Sequence, residues 1–248
     1  MNGPKLSVVI PVYNERATIE EILRRVQAVS IEKEIILVDD GSTDGTRDFL
    51  QALGNATAAG QPLLSLSNGS TLRTDNLRVI LQPKNRGKGA ALRRGFEEAR
   101  GEIVLVQDAD LEYNPEEYHD LLEPIERGVA DVVYGTRFRG RSQRVLFFWH
   151  YVGNRCLTTL SNAFTNLNFS DVWVCYKVFR REVLAKLKLR ENGFGFEPEI
   201  TAHIARNGWR VYEVPISYAG RTYAEGKKIT WHDGVRALWY VVRYNLFG

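Results

Sequence analysis

Two aspartates separated by a single residue follow a short apolar run near the middle of the chain. Asp108 and Asp110 come just after residues 103–106, which predict a buried strand of a parallel sheet. Paired carboxylates at a strand end are costly to remove from water unless a cation or hydrogen-bond donors neutralise them. Oxygen ligands suit Mg²⁺ or Mn²⁺, and such an ion keeps positions open for phosphate oxygens. The alternative is an Asx-type turn that precedes a helix near Pro115.

Three further polar loops follow predicted strands, and their residue types suit a nucleotide. One offers an aromatic edge and donors, one offers acceptor oxygens for a base or ribose hydroxyl, and one permits close backbone approach beside a lysine. In chain order these loops contain Tyr13-Asn14-Glu15, Asp39, and Gly87-Lys88-Gly89. Together with the aspartate pair they predict a site for a nucleoside diphosphate and its cation. Taken singly, the glycines fit ordinary turns, and Asp40 and Asp44 fit turn or cap positions.

Alternating strand and helix patterns place these loops at one edge of a sheet. Apolar β-branched runs alternate with segments of helical periodicity, and crossovers of this length favour a parallel, doubly wound α/β sheet flanked by helices. The predicted strands cover residues 6–12, 35–38, 77–81, 103–106, 132–134, 175–179 and 211–216, with a late helix over 197–207. The carboxyl ends of such strands are where open α/β sheets bind ligands.

Residues 54–76 interrupt this alternation. They are rich in Gly, Ser, Thr and Asn, and Leu63, Leu64 and Leu66 are the apolar residues that stand out. We predict a surface insertion, either a small hairpin or a mobile loop, with few contacts to the core.

The distribution of charge is more informative than its total. A net charge of +3 over 248 residues is too small to predict a nucleic-acid partner. The segment between Asp131 and Asp171 has no acidic residue but contains five arginines. Such a block suits phosphates or an anionic membrane surface.

Two segments are amphipathic, residues 144–165 and the helix predicted over 226–248. Their aromatic and aliphatic side chains could complete the core, lie on a membrane with arginines at the headgroups, or pair two copies of the chain. No stretch approaches the roughly 18 apolar residues of a spanning helix. We expect peripheral contact with the cytoplasmic face of a membrane, with a homo-oligomer as the competing interpretation.

As an ordered set, seven segments resemble the inverting family 2 glycosyltransferases of GT-A fold, and most of all their dolichyl- and polyprenyl-phosphate sugar transferases. The resemblance covers nearly the whole chain outside residues 54–76, with a transferase domain over 1–225. The segments are Val9-Ile10-Pro11-Val12-Tyr13-Asn14-Glu15, Asp39-Asp40-Gly41-Ser42-Thr43-Asp44-Gly45-Thr46, Asn85-Arg86-Gly87-Lys88-Gly89, Asp108-Ala109-Asp110, Tyr134-Gly135-Thr136-Arg137-Phe138, Gly193-Phe194-Gly195-Phe196-Glu197-Pro198-Glu199, and residues 218–228 with Arg221 and Gly226-Lys227-Lys228.

The resemblance implies a role for each matching residue. Asp108 and Asp110 would hold Mg²⁺ or Mn²⁺, Arg221 would bind the donor phosphates, and Arg137 would bind the acceptor phosphate or the leaving diphosphate. Glu197 and Glu199 would be candidate bases for a hydroxyl acceptor, although helix-dipole capping explains them equally well. The residues implied to bind the nucleotide sugar are Pro11, Tyr13, Glu15, Asp39, Asp40, Lys88, Asp108, Ala109, Arg221 and Lys227.

The expected reaction is metal-dependent, inverting transfer of a sugar from GDP-mannose or a UDP-hexose to a polyprenyl phosphate. Transfer to a sugar hydroxyl and a catalytically silent nucleotide-sugar-binding scaffold remain alternatives. Trp173 and Val174 depart from the family pattern after Asp171, and Trp173 is the feature that favours a silent scaffold. It could equally be a core residue.

Overall fold

The computed structural model describes residues 3–66, 69, 71–145, 147–222, 225 and 231–247. The strands are β1 (Leu6–Val12), β2 (Lys33–Asp39), β3 (Leu63–Ser65), β4 (Thr71–Arg73), β5 (Leu77–Leu81), β6 (Ile103–Val106), β7 (Val132–Thr136), β8 (Lys177–Arg180) and β9 (Val211–Pro215). The α-helices are α1 (Ile19–Ala28), α2 (Thr46–Ala58), α3 (Lys88–Glu98), α4 (Tyr118–Glu126), α5 (Phe148–Thr165), α6 (Arg181–Lys186), α7 (Phe196–Arg206) and α8 (Trp231–Leu246), and a 3₁₀ turn over Pro115–Glu117 leads into α4.

Seven of these strands form one sheet in the order β5-β2-β1-β6-β8-β7-β9. The four strands β5, β2, β1 and β6 are mutually parallel, and β7 is parallel to β9. Strand β8 runs antiparallel to both of its neighbours, β6 and β7. The predicted α/β class with a mostly parallel sheet is therefore confirmed, and the antiparallel strand is a feature that the alternation of elements did not reveal.

The parallel half of the sheet is buried because helices cover it. Every residue of β6 is buried, as are all residues of β1 except Pro11, which matches the continuous apolar runs of the sequence. Since β5, β2, β1 and β6 point the same way, the four polar loops that follow them lie along one edge of the sheet.

Residues 54–76 are more closely integrated than their composition predicts. Helix α2 continues through the first five of them, and β3 and β4 then form an antiparallel hairpin. Leu63 is 55% exposed, but Leu72 is 0% exposed and belongs to the hydrophobic core together with Leu66. The hairpin expectation is confirmed and the expectation of few core contacts is wrong, because β4 turns one leucine inward beneath α1.

This hairpin gives a test with an internal control. Leu72→Ala should lower the free energy of unfolding by about 2–4 kcal/mol, since it removes a fully buried side chain. Leu63→Ala on the paired strand should change it by less than about 0.5 kcal/mol, as expected at an exposed position. Urea denaturation of both variants measures the difference, and equal effects would contradict the burial described for β4.

Candidate functional site

The aspartate pair lies at the end of β6, and each carboxylate meets a cation from another part of the chain. Lys88, the first residue of α3, places its Nζ 2.8 Å from Oδ1 of Asp108. Arg221, which follows β9, places its Nη2 3.2 Å from Oδ2 of Asp110. The structure therefore brings together four residues that the sequence predicted for one site.

Asp110 is held in an environment that disfavours its negative charge. Burial, followed by the carboxylates of Asp108 and Glu112, raises the pKa of Asp110 to about 7, and Arg221 opposes this shift. A desolvated cluster of carboxylates favours a bound cation. Glu112, two residues beyond the pair, was not predicted, although its spacing in the same loop was a signal that could have identified it.

The residue types at this position fit a divalent metal ion with oxygen ligands. Within the described ranges, no three His, Cys, Asp or Glu side chains are grouped as a complete metal site. A hard cation held by two carboxylates would keep its other positions for phosphate oxygens, which is how Mg²⁺ is usually bound beside nucleotides.

Arg221 connects the aspartate loop to the loop after β1. Its guanidinium donates to both carboxylate oxygens of Glu15 at 3.2 Å, and its backbone N–H donates to Glu112 at 2.7 Å. Among the residues that the structure describes, its buried Nε has no hydrogen-bond partner. One arginine thus lies among three carboxylates from two loops.

Asp39, at the end of β2, and Asp40, directly after it, hold neighbouring loops through hydrogen bonds to backbone N–H groups. Asp39 is buried and accepts hydrogen bonds from the backbone N–H groups of Gly41 and Ser42 and from Arg47. Its predicted contact with the nucleotide stays a prediction.

Asp40 is committed more completely to the protein. It accepts from the backbone N–H groups of Arg86 at 2.8 Å and Gly87 at 2.7 Å, and from the Gln82 amide at 3.0 Å. Burial raises the pKa of Asp40. Through these bonds Asp40 positions the start of α3. Its predicted contact with base or ribose stays a prediction.

The two glycines at the start of α3 are required by another loop. Gly87 has a φ of +98°, and a Cβ there would lie 2.4 Å from the carbonyl oxygen of Asn192. At Gly89 a Cβ would lie 2.5 Å from the carbonyl oxygen of Glu191. The close approach predicted for these glycines is thus made to the chain before α7, and it sets the place of Lys88 between them.

The remaining residues predicted to bind the nucleotide sugar differ in their exposure to solvent. Tyr13 is exposed at the end of β1, Pro11 is half-buried, and Ala109 is buried between the two aspartates. Asn14 joins the first two loops, since its Oδ1 accepts from the backbone N–H of Thr43 at 2.8 Å. Lys227 lies outside the described residues.

Arg137 is fixed by a buried carboxylate. Its Nε and Nη2 donate to the two oxygens of Asp171 at 2.6 and 2.8 Å. The guanidinium also lies over the ring of Tyr218, 5.0 Å from its centroid. The Tyr218 hydroxyl donates to Glu112 at 2.9 Å, so Arg137 is linked through one aromatic ring to the aspartate loop.

The two glutamates proposed as bases have other partners. Glu197 is buried and forms an ion pair with Lys177, whose ammonium also donates to the carbonyl oxygens of Val172 and Val174. Glu199 accepts from the backbone N–H groups of Arg190 and Glu191, and burial raises its pKa. Both glutamates therefore stabilise the chain around α7.

A comparison with family models matches most of the chain. Residues 7–188 match the family described as Glycosyl transferase family 2, which covers β1 to the end of α6 and includes both aspartates. The chain belongs to glycosyl transferase family 2. The four loops at the carboxyl edge of the sheet all lie within the matched residues.

Sequence similarity to curated relatives extends over most of the chain. It is 33% identical over 227 residues to a polyprenol monophosphomannose synthase of Mycolicibacterium smegmatis, covering 89% of this chain and 79% of that protein. It is 34% identical to an undecaprenyl-phosphate 4-deoxy-4-formamido-L-arabinose transferase of Pseudomonas aeruginosa, covering 90% of this chain and 60% of that protein.

Solved structures share the fold. The glucosyl-3-phosphoglycerate synthase of Mycobacterium tuberculosis, crystallised with Mn²⁺, UDP and glucosyl-3-phosphoglycerate, superimposes with a TM-score of 0.68 at 22% identity. The match covers 98% of this chain and 80% of the synthase. The GT-A fold expected from the sequence is thereby confirmed.

The contact between α3 and the chain before α7 can be tested by enlarging one glycine. Gly89→Ala should lower the free energy of unfolding by about 1–3 kcal/mol, because the new methyl group meets backbone that cannot move aside. The matched variant Gly153→Ala lies in α5, where a Cβ meets nothing within 4 Å. It should be neutral or stabilising by up to about 1 kcal/mol. A similar loss of stability in both variants would contradict the close approach.

Proposed function

We propose that this family 2 glycosyltransferase transfers a sugar from a nucleoside diphosphate sugar to a polyprenyl phosphate, with inversion at the anomeric carbon. The observation that carries the proposal is the half-buried pair Asp108 and Asp110 beside Arg221, linked through Tyr218 to a second phosphate-binding candidate, Arg137. The guanidinium of Arg221 suits the donor diphosphate, and that of Arg137 suits an anionic acceptor. The relatives named for polyprenol and undecaprenyl phosphate support the same assignment.

Asp108 and Asp110 would hold Mg²⁺ or Mn²⁺ on the donor diphosphate. The metal supplies Lewis-acid stabilisation of the charge that develops on the leaving nucleoside diphosphate. Arg221 and Lys88 add fixed positive charge at the same place, and Asp40 keeps Lys88 there by holding the start of α3. Crystals of the mycobacterial synthase with UDP and Mn²⁺ or Mg²⁺ support a divalent ion in this fold.

The protonation demands of the acceptor favour a lipid phosphate over a sugar hydroxyl. A phosphate is already ionised at neutral pH and attacks without a general base, whereas a hydroxyl needs one. Glu197, the predicted base, is buried against Lys177, and Glu199 accepts two backbone hydrogen bonds. These partners leave both glutamates poorly suited to accept a proton from a substrate.

The silent-scaffold alternative loses its supporting feature. Trp173 packs against the hydrophobic core, and its unusual position after Asp171 is therefore explained by packing. The chain retains the carboxylates Asp108 and Asp110 and the arginines Arg137 and Arg221, which supports an active enzyme.

We further propose that the enzyme contacts the cytoplasmic face of a membrane through one apolar surface. This surface consists of the start of α5 and the outer face of α8, two helices that pack together. Trp149 is 76% exposed and Trp239 is 58% exposed, while Val241 on the opposite face of α8 is buried.

No described helix is long and apolar enough to cross a bilayer. Burial of these side chains at the lipid boundary, with arginines at the headgroups, gives reversible attachment. Self-association through the same surface is the competing outcome.

A donor screen tests the proposed reaction. GDP-mannose and UDP-hexoses are incubated with Mn²⁺, with and without polyprenyl phosphate, and the products are analysed by mass spectrometry and NMR. We expect a lipid-linked sugar of inverted anomeric configuration from one of these donors. Transfer that depends on a sugar hydroxyl acceptor, with none to the lipid phosphate, would contradict the proposal.

Asp110→Asn should lower transfer by at least about 100-fold and abolish Mn²⁺-dependent donor binding, because it removes a charged ligand of the proposed metal. The fold should survive, since the amide preserves the shape of the side chain. Asp75→Asn is the control, as Asp75 forms an exposed ion pair with Arg73. Calorimetric donor titration with and without Mn²⁺ measures the effect, and unchanged Mn²⁺-dependent turnover would rule out this metal assignment.

Trp239→Glu should weaken binding to anionic vesicles by about tenfold. The substitution replaces an apolar side chain that would be buried in the lipid by a negative charge that the anionic headgroups repel. Donor binding should persist, since the nucleotide loops lie elsewhere. Tyr212→Glu, which replaces an exposed aromatic side chain on β9, is the matched control. Co-sedimentation at low and high salt provides the measurement. Equal vesicle binding by both variants, or dissociation of a dimer by Trp239→Glu alone, would contradict the membrane assignment.

A further inference from the structure

Helix α5 contributes a side chain to the ion pair that holds Arg137. The Nδ2 of Asn154 donates to Oδ1 of Asp171 at 3.2 Å. The same oxygen accepts from Nη2 of Arg137 at 2.8 Å, while the other oxygen accepts from Nε at 2.6 Å. The amide and the guanidinium therefore share one buried carboxylate.

Asn154 and Asp171 are themselves held in place from opposite sides. The Oδ1 of Asn154 accepts from the hydroxyl of Thr158, one turn further along α5, so its Nδ2 is the group available to Asp171. On the other side, Glu213 of β9 accepts from the backbone N–H groups of Ser170 and Asp171 at 2.8 and 3.1 Å. The carboxylate is thereby fixed between a helix and the sheet.

This support leaves one end of the guanidinium for a ligand. Asp171 occupies Nε and Nη2 of Arg137, and the ring of Tyr218 covers one face of the guanidinium. Among the described residues, Nη1 of Arg137 has no hydrogen bond of its own. A guanidinium presents its donors in a rigid plane, so the orientation of that plane decides whether Nη1 can meet a phosphate oxygen.

We propose that Asn154 is a positioning residue for the acceptor phosphate, acting through Asp171 on the orientation of Arg137. This inference rests on the proposed function, in which Arg137 binds that phosphate. It also gives α5 a second role. The helix that begins with the exposed Phe148 and Trp149 carries, less than two turns later, the amide that orients the acceptor arginine. The lipid-facing surface and the amide that positions the phosphate-binding arginine thus lie on one helix.

The test separates acceptor binding from donor binding. Asn154→Ala should raise the KM for polyprenyl phosphate about tenfold, as expected for loss of one hydrogen bond to a charged group, and leave the KM for the nucleotide sugar within about twofold. Asn207→Ala is the matched control, because the exposed Asn207 at the end of α7 donates its side-chain amide to the carbonyl oxygen of His203. It should leave both KM values unchanged. Asn154→Ser, which retains a donor, should recover part of the loss.

A double-mutant cycle with Arg137→Lys decides whether Asn154 acts through Arg137. Lysine keeps the charge beside Asp171 but lacks the planar pair of donors, so its orientation no longer matters. In that background Asn154→Ala should change the acceptor KM by less than about twofold. An equal change in both backgrounds, or a parallel rise in the donor KM, would overturn the positioning role.

The outcomes for the two proposals are distinct. Wild-type transfer to polyprenyl phosphate with unaltered kinetics in Asn154→Ala would reject the positioning role and leave the proposed function intact. Failure of the wild-type enzyme to use any lipid phosphate would reject the proposed function, and the positioning role with it. Should Asn154→Ala melt below the assay temperature, Asn154→Ser alone carries the comparison, and an acceptor KM equal to that of Asn207→Ala would overturn the proposal.

Discussion

Desolvated negative charge at the end of β6 is the constraint on which the site depends. Two aspartates follow a fully buried strand, and Glu112 adds a third carboxylate in the same loop. Such a cluster is unfavourable without neighbouring cations. Lys88 from the start of α3 and Arg221 from the chain after β9 supply them. The positions of those two distant segments are therefore coupled to the chemistry of one strand end.

The supporting loops explain how these cations are kept in place. Asp40 binds the backbone before α3, and Gly87 and Gly89 let that helix start lie against the chain before α7. Arg221 is held by Glu15 as well as by the aspartate loop. Asp40 and Glu15, which the sequence predicts as nucleotide-binding residues, thus also help to position these cations.

Much of the fold and the aspartate site could be predicted from the sequence, because local patterns specify them. Apolar runs and crossover lengths predicted the parallel strands, and residue order predicted which loops share an edge. The antiparallel direction of β8 could not be predicted in this way, since it depends on where the chain re-enters the sheet. The burial of Leu72 in a polar segment and the ion pair between Glu197 and Lys177 likewise depend on tertiary contacts that no local pattern records.

The central claim is that Asp108 and Asp110 receive the divalent ion of a nucleoside diphosphate. Anomalous diffraction from a crystal grown with Mn²⁺ and UDP or GDP tests it most directly. The account predicts a manganese peak about 2.0–2.6 Å from carboxylate oxygens of both aspartates, with diphosphate oxygens completing the coordination. A nucleotide bound at this edge of the sheet with manganese elsewhere, or with Lys88 and Arg221 alone contacting the diphosphate, would contradict it.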